Sequence, residues 1–190
     1  MKIDNFSANP LEAFKTECYA FLQNLDPDGI FTFQTFDDDK VRKDKRMARV
    51  FHGTLEEHFN PLAKLNQQGA GVFVMVNKGD GVVHAGKKTC RTEVNVTKVR
   101  ALFADLDGAP LEPLLECSHP DIIVESSPSK WHCYYLTDDC PLDEFTLRQK
   151  QIAQKFKSDP SVNDLPRVMR LPGFLHQKDT PFMSRIIFPE

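Results

Sequence analysis

Two acids, Asp105 and Asp107, follow four largely apolar residues in ALFADLDG (101–108). Residues i and i+2 of a strand point to the same face, and the strand rise sets their Cα atoms about 6.5 Å apart. Carboxylates so placed can clasp two divalent cations about 3.5–4 Å apart, the arrangement used for phosphoryl transfer. Such hard oxygen ligands select Mg²⁺ or Mn²⁺. A second segment, SSPSKWHCYY (126–135), carries Ser127, a proline turn, Lys130 and His132. On a strand, Lys130 and His132 share a face opposite Trp131 and Cys133. With hydroxyls and turn amides nearby they suit a phosphate grip. A third, DPSVNDLPRVMRLPGFLHQK (159–178), sets Asp159 and Asp164 close to Arg167, Arg170, His176 and Lys178. Cations near two carboxylates suit a triphosphate with its metals.

The elements that must position these groups follow from periodicity. Asn9 as cap, Pro10 and Glu12 open a helix whose apolar residues Leu11, Phe14, Cys18, Phe21 and Leu22 recur at helical spacing. IFTFQTF (30–36) alternates like a strand with one buried face. Thr54 and Glu57 form a capping box for a helix through Leu65, with a kink expected at Pro61. Residues 71–76 and 100–105 read as buried strands around a turn at 77–81. DIIVESS (121–127) and HCYYL (132–136) read as a hairpin, 141–157 as a helix and MSRIIF (183–188) as a last strand. Interleaved helices and strands with a hairpin give an α/β (α+β) class with a mixed sheet.

With 41% apolar and 27% charged residues in 190, the chain can bury a core without staples. No apolar run is long enough to span a membrane, and the first ten residues carry no apolar signal core, so a cytoplasmic protein is expected. The five cysteines include no CxxC pair, which argues against structural zinc and for reduced thiols. The net charge of −3 conceals blocks: residues 40–49 sum to +5, 78–100 to +4 and 101–125 to −6. An acidic pocket between basic segments suits metal-dependent chemistry on a polyanion. One catalytic domain over 1–190 is expected, with a helix–strand unit at 1–36 and a core at 50–190.

Taken together, FADLDG, SSPSKWH and NDLPRVMRLPGFLHQK resemble the three motifs of archaeo-eukaryotic-type primases. More narrowly they resemble the RepB-like primase domains of plasmids, phages and integrated elements. The resemblance extends upstream through TFQTFDD (32–38), FHGTL (51–55) and LNQQGAGVFVMVN (65–77). It implies an RRM-like mixed catalytic sheet flanked by helices and joined to an N-terminal α/β unit. It also implies a DNA primase or polymerase that joins nucleotides (NTP or dNTP) on single-stranded DNA with two Mg²⁺ or Mn²⁺ ions, serving a replicative helicase. Asp105 and Asp107 match the paired metal-binding acids, and His132 the motif-two histidine that contacts the incoming phosphates. Asp164 matches the third acid by its spacing to RLPGF, while Asp159, before Pro160, reads as a turn or cap. Lys130 departs from the pattern, which has a small residue there.

On that reading Ser127, Lys130, His132, Arg167, Arg170, His176 and Lys178 face the nucleotide. The basic runs, with Arg42, Lys43, Lys45, Arg46, Lys87, Lys88 and Arg91, track the template backbone. Two alternatives stand beside it. One is a catalytically silent primase-derived module that binds DNA or anchors a helicase. The other is a haloacid-dehalogenase-like phosphatase, suggested by DLDGAPL, although the paired acids Asp138-Asp139 come before Lys155 instead of after it.

Overall fold

The computed structural model describes residues 10–27 and 29–187. The expected cap at Asn9, the side chains of Leu11 and Glu12, and Phe188 lie outside the described part. Helix α1 (Pro10–Leu25) buries Cys18, Phe21 and Leu22 as its periodicity predicts, half-buries Phe14, and adds Leu25 to the buried face. Strands β1 (Phe31–Asp37) and β2 (Val50–Gly53) follow, then α2 (Leu55–Gln67) and β3 (Ala70–Met75). The capping box of α2 forms: Thr54 Oγ accepts the Glu57 N–H, and the Glu57 carboxylate accepts the Thr54 N–H at 2.8 Å. The helix continues through Pro61 to Gln67, two residues past the predicted end.

Next come β4 (Lys78–Gly79), β5 (Val96–Lys98), β6 (Ala101–Asp107) and α3 (Glu112–Cys117). The hairpin of β7 (Ile122–Ser127) and β8 (Lys130–Leu136) leads into α4 (Leu142–Phe156) and β9 (Val168–Arg170). The chain ends in β10 (Leu175–His176), β11 (Phe182–Met183) and β12 (Arg185–Ile187). The expected last strand is therefore two. Ser184 interrupts it, because its amide and carbonyl turn to Phe174 and Gly173 and its hydroxyl donates to the Ser126 carbonyl.

The strands form two four-stranded sheets, ordered β2-β1-β3-β9 and β12-β7-β8-β6, with small ribbons β4-β5 and β10-β11. The pairings between described strands are antiparallel, so neither sheet is mixed as expected. The α/β (α+β) class itself holds. Phe33, Val72 and Val74 of the first sheet share one buried cluster with Phe103, Val124 and Tyr134 of the second. Helices α1 and α4 add Phe21 and Phe145 to it. The opposite face of the second sheet buries Ala104, Leu106, Ile123 and Cys133 against Leu111 and Leu114.

Strand β1 departs from its predicted single buried face: residues 31–35 are buried on both. It is an interior strand, and its polar face is satisfied rather than solvated. Thr32 Oγ1 meets His52 Nδ1 at 2.9 Å, and Gln34 bonds the Arg49 carbonyl and the Arg91 Nε–H.

Candidate active site

The register of β6 and β8 assembles the acids and bases. Phe103 stands opposite Tyr134, Asp105 opposite His132, and Asp107 opposite Lys130. These side chains share one face of the second sheet, because strand residues alternate. At Phe103 and Tyr134 that face is core; two residues on it turns polar, and the core gives way to a cleft. The cleft has a volume of about 660 Å³. The second sheet contributes Asp105, Asp107, Ser126, Ser127, Lys130 and His132, while Phe73, Arg167, Arg170, His176 and Lys178 line it from the first sheet and the segments around β9 and β10.

The two acids differ in environment. Asp107 is exposed and its carboxylate meets Lys130 Nζ at 2.6 Å. Asp105 is half-buried, with a pKa pushed up to about 6 by burial first and then by the charges of Asp107 and Asp159; Arg167 and Lys130 oppose the shift. His132 Nε2 lies 3.7 Å from Asp105 Oδ1, beyond hydrogen-bonding reach. Burial, and secondarily Arg170, push the His132 pKa down to about 3. The imidazole is therefore neutral at ordinary pH, and its buried Nδ1 has no hydrogen-bond partner among the described residues. Burial likewise pushes His176 down to about 4.

The turn between β7 and β8 is braced from below. Ser129 adopts φ +60°, and its N–H donates to Glu125 at 3.3 Å. The Glu125 carboxylate also holds Arg185 at 2.6 Å. Ser126 and Ser127 are buried at the register shift beside this turn.

The predicted residues Ser127, Lys130, His132, Arg167, Arg170, His176 and Lys178 all line the cleft with Asp105 and Asp107. Asp164 does not. The turn from 164 to 167 folds Asp164 onto Arg167, and the two form an ion pair of which only Arg167 lines the cleft. Asp159 does not line the cleft either, but it is the acid next to the pair. Its N–H donates to the Asp105 carbonyl at 3.0 Å, and its charge raises the Asp105 pKa. It is also a turn residue, as its place before Pro160 predicts, since its carboxylate accepts the Ser161 N–H at 2.8 Å.

Among the described residues, no three His, Cys, Asp or Glu side chains converge closely enough to enclose a metal ion. Two carboxylates are nonetheless a fitting set for Mg²⁺, which commonly takes one or two of them together with substrate phosphates. The raised Asp105 pKa marks an acid group that a cation would relieve.

The expected DNA-binding residues lie apart from the cleft lining, and they differ among themselves. Arg42 grips Asp37 with two hydrogen bonds of 2.7 and 2.8 Å, and Arg46 grips Asp44 at 2.7 Å. Arg91 is half-buried and bonded to Gln34 and the Pro166 carbonyl, so it braces the third motif instead of facing solvent. Lys43, Lys45, Lys87 and Lys88 are exposed to solvent. The sequence reading missed Lys40, Phe73 and Asp179, which also line the cleft. The basic run 40–49, which begins at Lys40, and the upstream stretches at 32–38 and 65–77 pointed toward that region. The phosphatase alternative loses its geometry: Asp138, paired with Lys98, follows the end of β8 opposite the Lys130 end.

Residues 92–184 match the family model of the RepB DNA-primase N-terminal domain. No curated protein matches the sequence. Among solved structures, the chain is similar to the AEP domain of the cyanophage S-2L primase-polymerase, with a TM-score of 0.70 at 20% identity, covering 91% of this chain and 89% of that one. It is similar to the catalytic domain of primase RepB′ in complex with initiator DNA, with a TM-score of 0.58 at 17% identity over 94% and 84%. A further structure of primase RepB′ gives 0.59 at 17% identity over 96% of this chain and 56% of that one. At these identities the likeness is one of fold. The family match and the shared fold bear out the primase resemblance carried by the three motifs.

Proposed function

From a chain whose residues 92–184 carry the RepB DNA-primase match and whose fold is that of primases, we propose a template-dependent nucleotidyltransferase that makes primers on single-stranded DNA. The observation that carries the proposal is the β6–β8 register, which brings Asp105, Asp107, Lys130 and His132 onto one face at the cleft. Asp105 and Asp107 would hold Mg²⁺ or Mn²⁺, with Asp159 the nearest candidate for a third acid. When bound, the metal supplies Lewis-acid activation of the attacking hydroxyl and neutralises triphosphate charge.

The chain's own groups do the rest. Lys130, held by Asp107 at 2.6 Å, can exchange that carboxylate for a phosphate oxygen without leaving its strand face. A neutral His132 can donate to a phosphate while carrying no charge of its own. Arg167 and Lys178 add positive charge from the opposite wall, where the leaving pyrophosphate would build up negative charge. Lys43, Lys45, Lys87 and Lys88 would meet the template backbone, a salt-sensitive contact tolerant of sequence.

The test is nucleotide incorporation on homopolymer templates with Mn²⁺. On oligo-dT the protein should incorporate adenine nucleotides, and on oligo-dC guanine nucleotides. Incorporation indifferent to the template, or none on either, would contradict the proposal.

A further inference from the structure

We propose that Asp38 is a positioning residue for nucleotide binding: it fixes the Arg170 guanidinium in one orientation in the cleft, leaving an N–H edge for the triphosphate. The inference rests on the functional reading above and extends it to a residue outside the matched segment 92–184. Asp38 follows β1 and Arg170 ends β9, with β3 between them in the first sheet. Arg170 Nη2 donates to Asp38 Oδ1 at 2.8 Å, and Nη1 donates to Oδ2 at 3.0 Å. The Gln177 N–H adds a third bond to Oδ2 at 2.9 Å. The side chains are only 6% and 1% exposed for Arg170 and Asp38.

Two residues of β3 complete the clamp. The Phe73 ring stands opposite Arg170 in the register, its centroid 4.7 Å from the guanidinium carbon. Gly71, two residues before it and on the same face, leaves room for the pair. A Cβ there would stand 2.6 Å from both Arg170 Nη1 and Asp38 Oδ1. The guanidinium is thus held at its edge by a carboxylate and on its face by a ring. Its Nε–H has no protein acceptor among the described residues, yet is not among the buried unpartnered atoms, and Arg170 lines the cleft with His132. A buried ion pair adds little net stability over apolar side chains of similar volume. Orienting a donor is what this geometry achieves and an apolar pair would not.

The experiment compares wild type with Asp38→Asn, Gly71→Ala, Arg170→Lys and the double variant Asp38→Asn/Arg170→Lys. Binding of Mn²⁺-ATP and Mn²⁺-dATP is titrated, KM and kcat of incorporation are measured, and Tm is recorded for each. Asp38→Asn removes the charge at constant volume, Gly71→Ala leaves both charged groups in place but displaces them, and Arg170→Lys loses the fork. Each single variant should raise nucleotide Kd and KM tenfold or more, with a smaller change in kcat. The double variant should be no worse than Arg170→Lys, since the two residues act as one unit. If the variants lower Tm but bind nucleotide like wild type, the pair is structural and the inference fails. Should Asp38→Asn not fold, wild-type affinity in Gly71→Ala or Arg170→Lys would overturn it equally. A wild type that binds no nucleotide would overturn the functional reading, and this inference with it.

Discussion

Asp105 is a charge in an unfavourable place. Burial and the neighbouring charges of Asp107 and Asp159 hold its pKa at about 6, above the ordinary 3.8. An acid whose folded pKa is raised binds its proton more tightly in the folded state, so this group's contribution to stability falls as pH rises from about 4 to 6. Above that window the penalty is complete. Asp105→Asn removes it, and without divalent cation at pH 7.5 the variant should be more stable than wild type by about 1–3 kcal/mol. The gap should shrink toward pH 4 and close when Mn²⁺ is added to wild type. Denaturant melts across pH decide this, and an Asn variant less stable than wild type at pH 7.5 would contradict it. The neighbouring question is which acid joins the pair. Asp164 is tied to Arg167, whereas Asp159 donates its amide to the Asp105 carbonyl. Mn²⁺ titration should show weaker binding in Asp159→Ala and near-normal binding in Asp164→Ala. The reverse would restore the spacing argument from RLPGF.

At the scale of elements, the second sheet was the most legible part of the sequence. The i, i+2 acids and the alternation through Lys130 and His132 each announced a strand face, and the hairpin between β7 and β8 followed from its turn residues. The register that sets Asp105 against His132 was not legible, because β6 reaches β8 only after α3 and β7 intervene. In the third motif a turn from 164 to 167 folds Asp164 onto Arg167, and spacing in the chain cannot show that. The basic run of residues 40–49 was legible as charge but not as contacts, since Asp37 and Asp44 already engage Arg42 and Arg46. Arg42 in particular holds the Asp37 carboxyl well below the usual carboxylate range. Template binding should therefore come from the lysines. Replacing Lys43, Lys45, Lys87 and Lys88 by alanine should flatten the slope of log affinity against log salt by about 0.7 for each single-strand phosphate left without its lysine. Fluorescence anisotropy across a salt series measures the slope. An unchanged slope would place the strand elsewhere.

At the scale of the whole molecule, the cleft exists because the core stops there. Phe103 and Tyr134 close one end of the shared core, and the next residues on the same face of those strands are the acid and the histidine. The opposite wall comes from the first sheet, whose strands β1 and β3 precede the matched segment, so neither sheet alone makes the site. The sequence reading found the acids and most cations but not this seam, since packing one sheet against another leaves no fixed spacing in the chain. The most direct measurement of the central claim is template-directed incorporation with Mn²⁺ by Asp105→Asn and Asp107→Asn, each first checked for a wild-type circular dichroism spectrum and a cooperative melt. Both should lose incorporation by several orders of magnitude while still binding template, because removing a metal ligand costs several kcal/mol of transition-state stabilisation. Near-normal incorporation by either folded variant would contradict the account.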